Sequence, residues 1–297
     1  MSRILKGLVV QRLNQVKREV NRAMSLLWQV QVLKPFDTIL ASQFHPERKF
    51  PTHFMLETAA GIKEEVNRET PVFKIKNKLS GELFIVDAGA AAHIISTHFK
   101  GESVGSQIKF DSLKDLLVFV AKKIPRKLSF QGNEVNLEIK FSRTVGTEGV
   151  TSSQEMLTAG IITAEDLEIL NQAKDQVFAL NKKDATDERV NFVKQFNADN
   201  LMGRNVKLGI RGPLKTIVVF YQSEPRPTTK LSMIISKRKA PEGTEYLGVS
   251  TLYSGRLTGK FPTDRRFKDG KFPEEQLQAQ NSWWETGFLV SAADFTG

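Results

Sequence analysis

The stretch 206–253 constrains this chain more than any other, because four β-type segments follow one another there with only short breaks. Val206-Lys207-Leu208-Gly209-Ile210 alternates, and 214–221 is a mostly apolar run ended by Ser223-Glu224-Pro225. Lys230-Leu231-Ser232-Met233-Ile234-Ile235-Ser236 follows a turn at Pro227, and 245–253 follows Pro241-Glu242-Gly243. Runs of this composition between Pro, Gly and Ser breaks read as strands. Links this short favour antiparallel meander pairing, with upstream helices over one face of the sheet. The expectation is an α+β fold: a predominantly antiparallel sheet covered by helices, with Ile217, Val219, Ile234 and Val249 in its core.

Upstream, the pattern is helical. Ile4, Leu5, Leu8, Val9, Leu13, Val16, Val20, Met24 and Leu27 form an apolar stripe beside Arg3, Lys6, Arg12, Lys17, Arg18 and Arg22. This reads as one long N-terminal amphipathic helix, on the order of 38 Å long. Its bland reading is a solvated basic face over a packed stripe; the sharper ones are a nucleic-acid-facing helix, a membrane-surface helix or a targeting segment. Pro35, Pro46 and Pro51 then break the pattern into a connector, and 55–68 can be helical. Residues 72–76 and 82–86 form a hairpin, 110–120 a helix capped by Asp111 or Ser112, and 134–141 a half-buried strand. The polar run 142–153 reads as a loop, helices follow from Thr163 to about Asn181 and over 187–196, and Phe288-Leu289-Val290 suits an edge strand. Domain organisation follows as 1–70, a helical segment and connector, and 71–297, an α+β core domain.

Composition then limits function. The formal charge of +10, from 43 Lys and Arg against 33 Asp and Glu, favours a polyanionic partner. Nucleic acid comes first, RNA before DNA, then an acidic protein partner or an anionic membrane surface. The absence of cysteine excludes disulfides, thiolate catalysis and cysteine-ligated metal. No apolar run approaches the roughly 18 residues of a membrane span, so the expectation is a soluble chain, cytoplasmic or delivered into a target cell. A phosphate loop, a dinucleotide-binding glycine pattern and a Gly-X-Ser-X-Gly elbow are all missing, and no cofactor or metal is called for.

The remaining chemistry is distributed. Two of the four histidines lie in Ala92-His93-Ile94-Ile95-Ser96-Thr97-His98, on a short helix ending near Gly101. Five residues apart on an ideal α-helix, they sit about 140° apart and do not share a face as an i, i+4 metal pair would. His45 and His53 belong to the proline-punctuated connector, where positioning is looser. Arg211 enters the main strand beside Gly209 and Gly212, and Thr251 and Tyr253 end the last strong strand. Cleavage of RNA needs a base for the 2′-hydroxyl, a cation for the phosphorane and an acid for the 5′-oxygen, tasks that histidine, arginine, tyrosine and threonine suit. A glycine-rich basic loop follows, with Arg256, Lys260, Arg265, Arg266 and Lys268 as phosphate contacts and Phe261 or Phe267 as stacking rings.

On these residues the layout resembles bacterial toxin ribonucleases of the barnase, EndoU, colicin and RelE superfamily. The carriers are the His-X-X-X-X-His element at His93 and His98 and the strand Val249-Ser250-Thr251-Leu252-Tyr253, over about 72–290. The resemblance implies a metal-independent endoribonuclease, toxin or effector. His93 or His98 would do acid-base work, Arg211 would hold phosphate, and Thr251 and Tyr253 would orient the substrate. The insert of roughly a hundred residues between the histidine helix and the sheet departs from the compact family pattern. Two other classes fit the same sequence: a non-catalytic basic nucleic-acid-binding protein, and a structural or adaptor protein using the N-terminal helix and Trp283-Trp284 as interfaces.

Overall fold

The computed structural model describes residues 12, 14–16, 27–47, 50–99, 106–125, 127–130, 132–183, 185–200, 206–211, 215–221, 225–239, 243–257 and 287–290. The chain divides into two units: Met1–Glu102 with Ile108–Val145 and Lys230–Tyr253, and Ser103–Gln107 with Gly146–Thr229 and Ser254–Gly297.

The first unit is built on a six-stranded sheet. Its strands are β1 (Trp28–Val32), β5 (Pro71–Asn77), β6 (Leu83–Asp87), β14 (Glu245–Ser254), β13 (Lys230–Lys239) and β7 (Glu134–Lys140), in that spatial order. β5 and β6 form the expected hairpin, with Ile75 opposite Phe84, and β13 pairs antiparallel with β7, with Met233 opposite Leu137. β14 runs parallel to β6, with Leu247 beside Phe84. A smaller antiparallel sheet of β2 (Thr38–Phe44), β3 (Pro51–Glu57) and β4 (Lys63–Asn67) belongs to the same unit.

Two α-helices of the unit lie against these strands. α1 (Ala88–Ile94) lies against β2, β3, β5 and β6, and α2 (Leu113–Ala121) lies against β1. Ser112 caps α2 by accepting a hydrogen bond from the Asp115 N–H at 3.1 Å. Phe84, Ile75, Ile94, Leu116, Leu117, Leu231 and Met233 are fully buried, and the Trp28 and Phe84 rings meet at 4.6 Å.

The second unit has its own core, around Met156, Leu170, Leu180, Val206, Leu208, Ile217 and Tyr221. Its sheet orders β10 (Val206–Arg211), β11 (Thr216–Tyr221), β15 (Gly287–Val290) and β9 (Val150–Ser152), and β8 (Gly146–Glu148) pairs with β12 (Arg226–Thr228). Its helices are α3 (Ser153–Thr158), α4 (Ala164–Lys182) and α5 (Thr186–Asp199). α4 opens on a capping box in which Thr163 and Asp166 each accept from the other's backbone N–H.

Two asparagines fasten these helices to the sheet. Asn181 of α4 accepts from the Ile217 N–H at 2.8 Å and donates to the Ile217 carbonyl at 3.0 Å. Asn197 of α5 does the same to Leu208, at 3.1 and 2.8 Å. Arg189, almost wholly buried, donates to the carbonyls of Lys215 at 2.8 Å and Lys183 at 2.6 Å, closing the segment between α4 and α5.

This architecture corrects the expected fold class. Among the described residues strand takes 40% and helix 31%, in several sheets rather than one antiparallel sheet under helices. Both larger sheets are mixed, with β14 parallel to β6 and β15 parallel to β11. The reason lies in connectivity: β6 leads into a helix instead of a tight turn, so its neighbour arrives from far along the chain, and a long crossover permits parallel pairing.

The four strands of 206–253 do not share a sheet either. β10 and β11 belong to the second unit, whereas β13 and β14 belong to the first. The meander pairing expected between 214–221 and 230–236 is therefore absent, since β11 and β13 belong to different sheets. Ile217 and Val249 are core residues as expected, while Val219 and Ile234 are half-buried.

The long N-terminal helix is also overturned. The chain is already a strand from Trp28, paired antiparallel with β5, and of the described residues before it 12 and 14–16 are helical. The other residues of the expected stripe before Leu27 lie outside the described residues, as do Trp283 and Trp284. Trp28-Gln29-Val30-Gln31-Val32 alternates with period two, the signal that the helical stripe before it hid. The segment 55–68 forms strands in place of the expected helix, and 142–153 forms β8 and β9 in place of a loop. Phe288 lies in a strand between β11 and β9, not at an edge.

Replacing Asn181 with leucine would leave both Ile217 backbone groups without their partners. The expected loss is about 1–3 kcal/mol for each unpaired buried group, read as a lower urea midpoint. An unchanged midpoint would show that the asparagine clamp contributes nothing to stability.

Candidate active site

The histidine helix begins where β6 ends. The Asp87 carboxylate accepts from the Ala90 N–H at 2.7 Å, and its second oxygen pairs with Arg238 of β13. Ala88, Gly89, Ala90 and Ala91 are all buried, because small side chains let α1 lie close to the strands beneath it. After Ile94 the helix widens into a π-helical segment, Ile95–Phe99.

That widening changes the site. In a π-helix hydrogen bonds run from i to i+5, so residues five apart return to nearly the same side. His93 and His98 meet edge to face, with ring centroids 5.6 Å apart and planes at 85°. The 140° separation of an ideal α-helix does not apply.

His98 is buried, and the Tyr253 ring of β14 lies 5.7 Å from it. Thr251, two residues earlier on the same strand, projects from the same face. Its hydroxyl is buried and has no hydrogen-bond partner among the described residues. The Thr97 hydroxyl lies 3.3 Å from Nδ1 of His93, whose ring is open to solvent.

Sequence reasoning missed Arg68. Its carbonyl accepts from the Gly89 N–H at 2.9 Å, and its guanidinium donates to the Pro51 carbonyl at 3.1 Å. Its side chain crosses α1 at Gly89, where an added Cβ would come within 2.6 Å of the arginine Cγ. A lone glycine among helix-forming alanines was the available signal, since Gly is disfavoured in a helix unless something passes close by. Arg238 passes Gly248 of β14 in the same way.

Although part of the His93 residue faces solvent, partial desolvation by the surrounding protein disfavours its charged imidazole, and the positive charge of Arg68 adds to this, so its pKa is lowered. A neutral imidazole at neutral pH can accept a proton. Burial raises the Asp87 pKa, although Arg238, the Ala90 N–H and Arg68 oppose the shift.

The other residues singled out in the sequence lie elsewhere. Arg211 ends β10 in the second unit, and its side chain falls outside the described residues. In that unit the Arg256 guanidinium reaches Glu155 at 3.1 Å and Glu148 at 3.4 Å. Lys260, Arg265, Arg266 and Lys268 lie outside the described residues. His45 stacks on Phe50 at 5.3 Å, and His53 sits on β3 beside the Thr52 hydroxyl. The structure thus brings together His93, His98, Tyr253 and Arg68, all within the first unit.

In an NMR titration the His93 midpoint should fall below the usual 6.5, and Arg68→Gln should move it upward, because the neighbouring positive charge is gone. A midpoint that Arg68→Gln leaves in place would remove Arg68 from the electrostatics of the site.

In comparisons with known proteins, no family model matches the chain, and neither a curated protein nor a solved structure matches it.

Proposed function

We propose that this chain cleaves RNA by general acid-base catalysis at His93 and His98, a ribonuclease activity that needs no metal ion for bond making or breaking. The observation that carries the reading is the contact of the two imidazoles with each other, extended on one side by Tyr253. Arg68 takes the cationic role within the same unit.

The chemistry follows from these positions. Neutral His93, open to solvent, removes the proton of a ribose 2′-hydroxyl. The 2′-oxygen forms a bond to phosphorus, and the bond from phosphorus to the 5′-oxygen breaks, leaving a 2′,3′-cyclic phosphate and a 5′-hydroxyl. His98 supplies the proton that the 5′-oxygen takes up, so the step is proton-neutral overall. Arg68 stabilises charge on the phosphorane oxygens, and donors preorganised at such a position act most strongly where water is excluded. Tyr253 packs against the acid ring.

The test is incubation of purified protein with RNA in EDTA. The wild type should cut, and His93→Ala and His98→Ala should each lower the rate by about 10² to 10⁴ while binding stays intact. Arg68→Ala should lower kcat more than it raises KM. RNA left intact by the wild type, or cut by both histidine variants as fast as by the wild type, overturns the proposal; the first outcome favours a binding protein without catalysis.

A further inference from the structure

A second feature of the first unit, outside the histidine site, gathers positive charge. Lys109 precedes α2, Lys122 caps its C-terminal end, and Arg143 follows β7; all three line one pocket of about 320 Å³. The Lys109 N–H donates to the Val145 carbonyl at 2.9 Å, which holds the segments carrying Lys109 and Arg143 together. None of the three has a carboxylate within 4 Å among the described residues. With Asp111 and Asp115 the lining holds three cations against two carboxylates, an excess of one positive charge that a single phosphate monoanion would balance.

The aromatic floor gives this pocket more than charge. The Arg143 guanidinium lies 4.6 Å above the Phe119 ring and 5.5 Å from Phe110. Phe119 in turn stacks on Phe141 at 4.4 Å, so both of its faces are taken. An arginine restrained by aromatic rings presents a planar fork suited to bidentate contact with phosphate, and guanidinium planes are also surfaces on which bases stack. Asp111 and Asp115 also line the pocket. Asp115 accepts from the Ser112 hydroxyl at 2.7 Å, whereas the exposed Asp111 offers an acceptor for a ribose hydroxyl or a base amine. Cations, an acceptor and a stacking plane together match a nucleotide better than a bare phosphate.

We infer that the pocket of Lys109, Lys122 and Arg143 binds a nucleotide of single-stranded RNA, with its phosphate on the three cations and its base on the Arg143 guanidinium. The inference deepens the ribonuclease reading and rests on it for the identity of the polymer, but it makes no use of the histidines.

The experiment measures binding of a 2′-O-methyl oligoribonucleotide, which lacks the attacking hydroxyl and is not cut, to the full chain over a range of salt concentrations. Lys109→Gln, Lys122→Gln and Arg143→Gln combined should weaken binding at least tenfold. They should also flatten the slope of log K against log salt by about 0.7, the contribution of one phosphate neutralised on a single strand. Arg143→Lys, which keeps the charge and loses the planar fork, should weaken binding with little change of slope. His93→Ala with His98→Ala should bind as the wild type does. Wild-type affinity in the triple variant, or no binding by the wild type, overturns the inference. The cleavage assay decides separately: an oligonucleotide that is bound at the pocket beside RNA that is never cut would leave this site standing and remove the ribonuclease reading.

Discussion

Asp87 ties the first unit together. It is the last residue of β6, caps α1 through the Ala90 N–H, and pairs with Arg238, which reaches across Gly248 of β14 from β13. One carboxylate therefore links three strands to the helix that carries His93. Its burial outweighs the favourable charges around it, and its pKa is raised. A raised carboxylate pKa means that the folded state holds the proton more tightly than the unfolded one. This contribution to stability is fully present below the ordinary pKa of 3.8 and is lost as pH rises through the raised value. At neutral pH the ion pair is thus kept for geometry more than for stability, which agrees with the modest net worth of buried pairs.

The same economy of space explains the two glycines. Gly89 lets Arg68 cross α1, and Gly248 lets Arg238 cross β14, each where a Cβ would come within 2.6 Å of the arginine side chain. Two cations are thereby laid across the elements that build the site without entering its core. Arg68 then depresses the basicity of His93, and Arg238 fixes the carboxylate that starts the histidine helix. The π-helical turn is the third part of the arrangement, because it alone puts His98 beside His93 and leaves His98 facing Tyr253.

How much of this was legible in the sequence depends on the range of the interaction. Local signals carried through: Thr163 opens α4, Ser112 caps α2, and the 72–76 and 82–86 runs pair as a hairpin. Period-two alternation gave β7 and β10 their strands. Partner choice was not legible, since nothing in Leu247 or Gly248 says that β14 will run parallel to β6, and nothing in Pro225 says that β11 and β13 belong to different sheets. His93, His98 and Tyr253 were visible as residue types suited to proton transfer. Their contact depends on a helix that widens by one residue per turn, which periodicity at 3.6 does not report. Arg68 was hidden because its role comes from crossing Gly89, a tertiary approach with no motif of its own.

The order of the chain also bears on how the histidine site is completed. His93 and His98 arrive early, but Tyr253, Thr251 and the Arg238 partner of Asp87 are supplied by β13 and β14, after the second unit's 146–229. The pairing of Leu247 with Phe84 closes a loop of more than 150 residues, and the entropy of such closure grows only slowly with loop length while long-range pairing slows folding markedly. β5 and β6 can pair as a hairpin before that, and Asp87 can already cap α1 in that state. The histidine pair would then form before its tyrosine neighbour. Until β14 docks on β6, the His98 ring lacks the packing that orients it, so the arrangement of acid and base is finished only when the last strand of the sheet is in place.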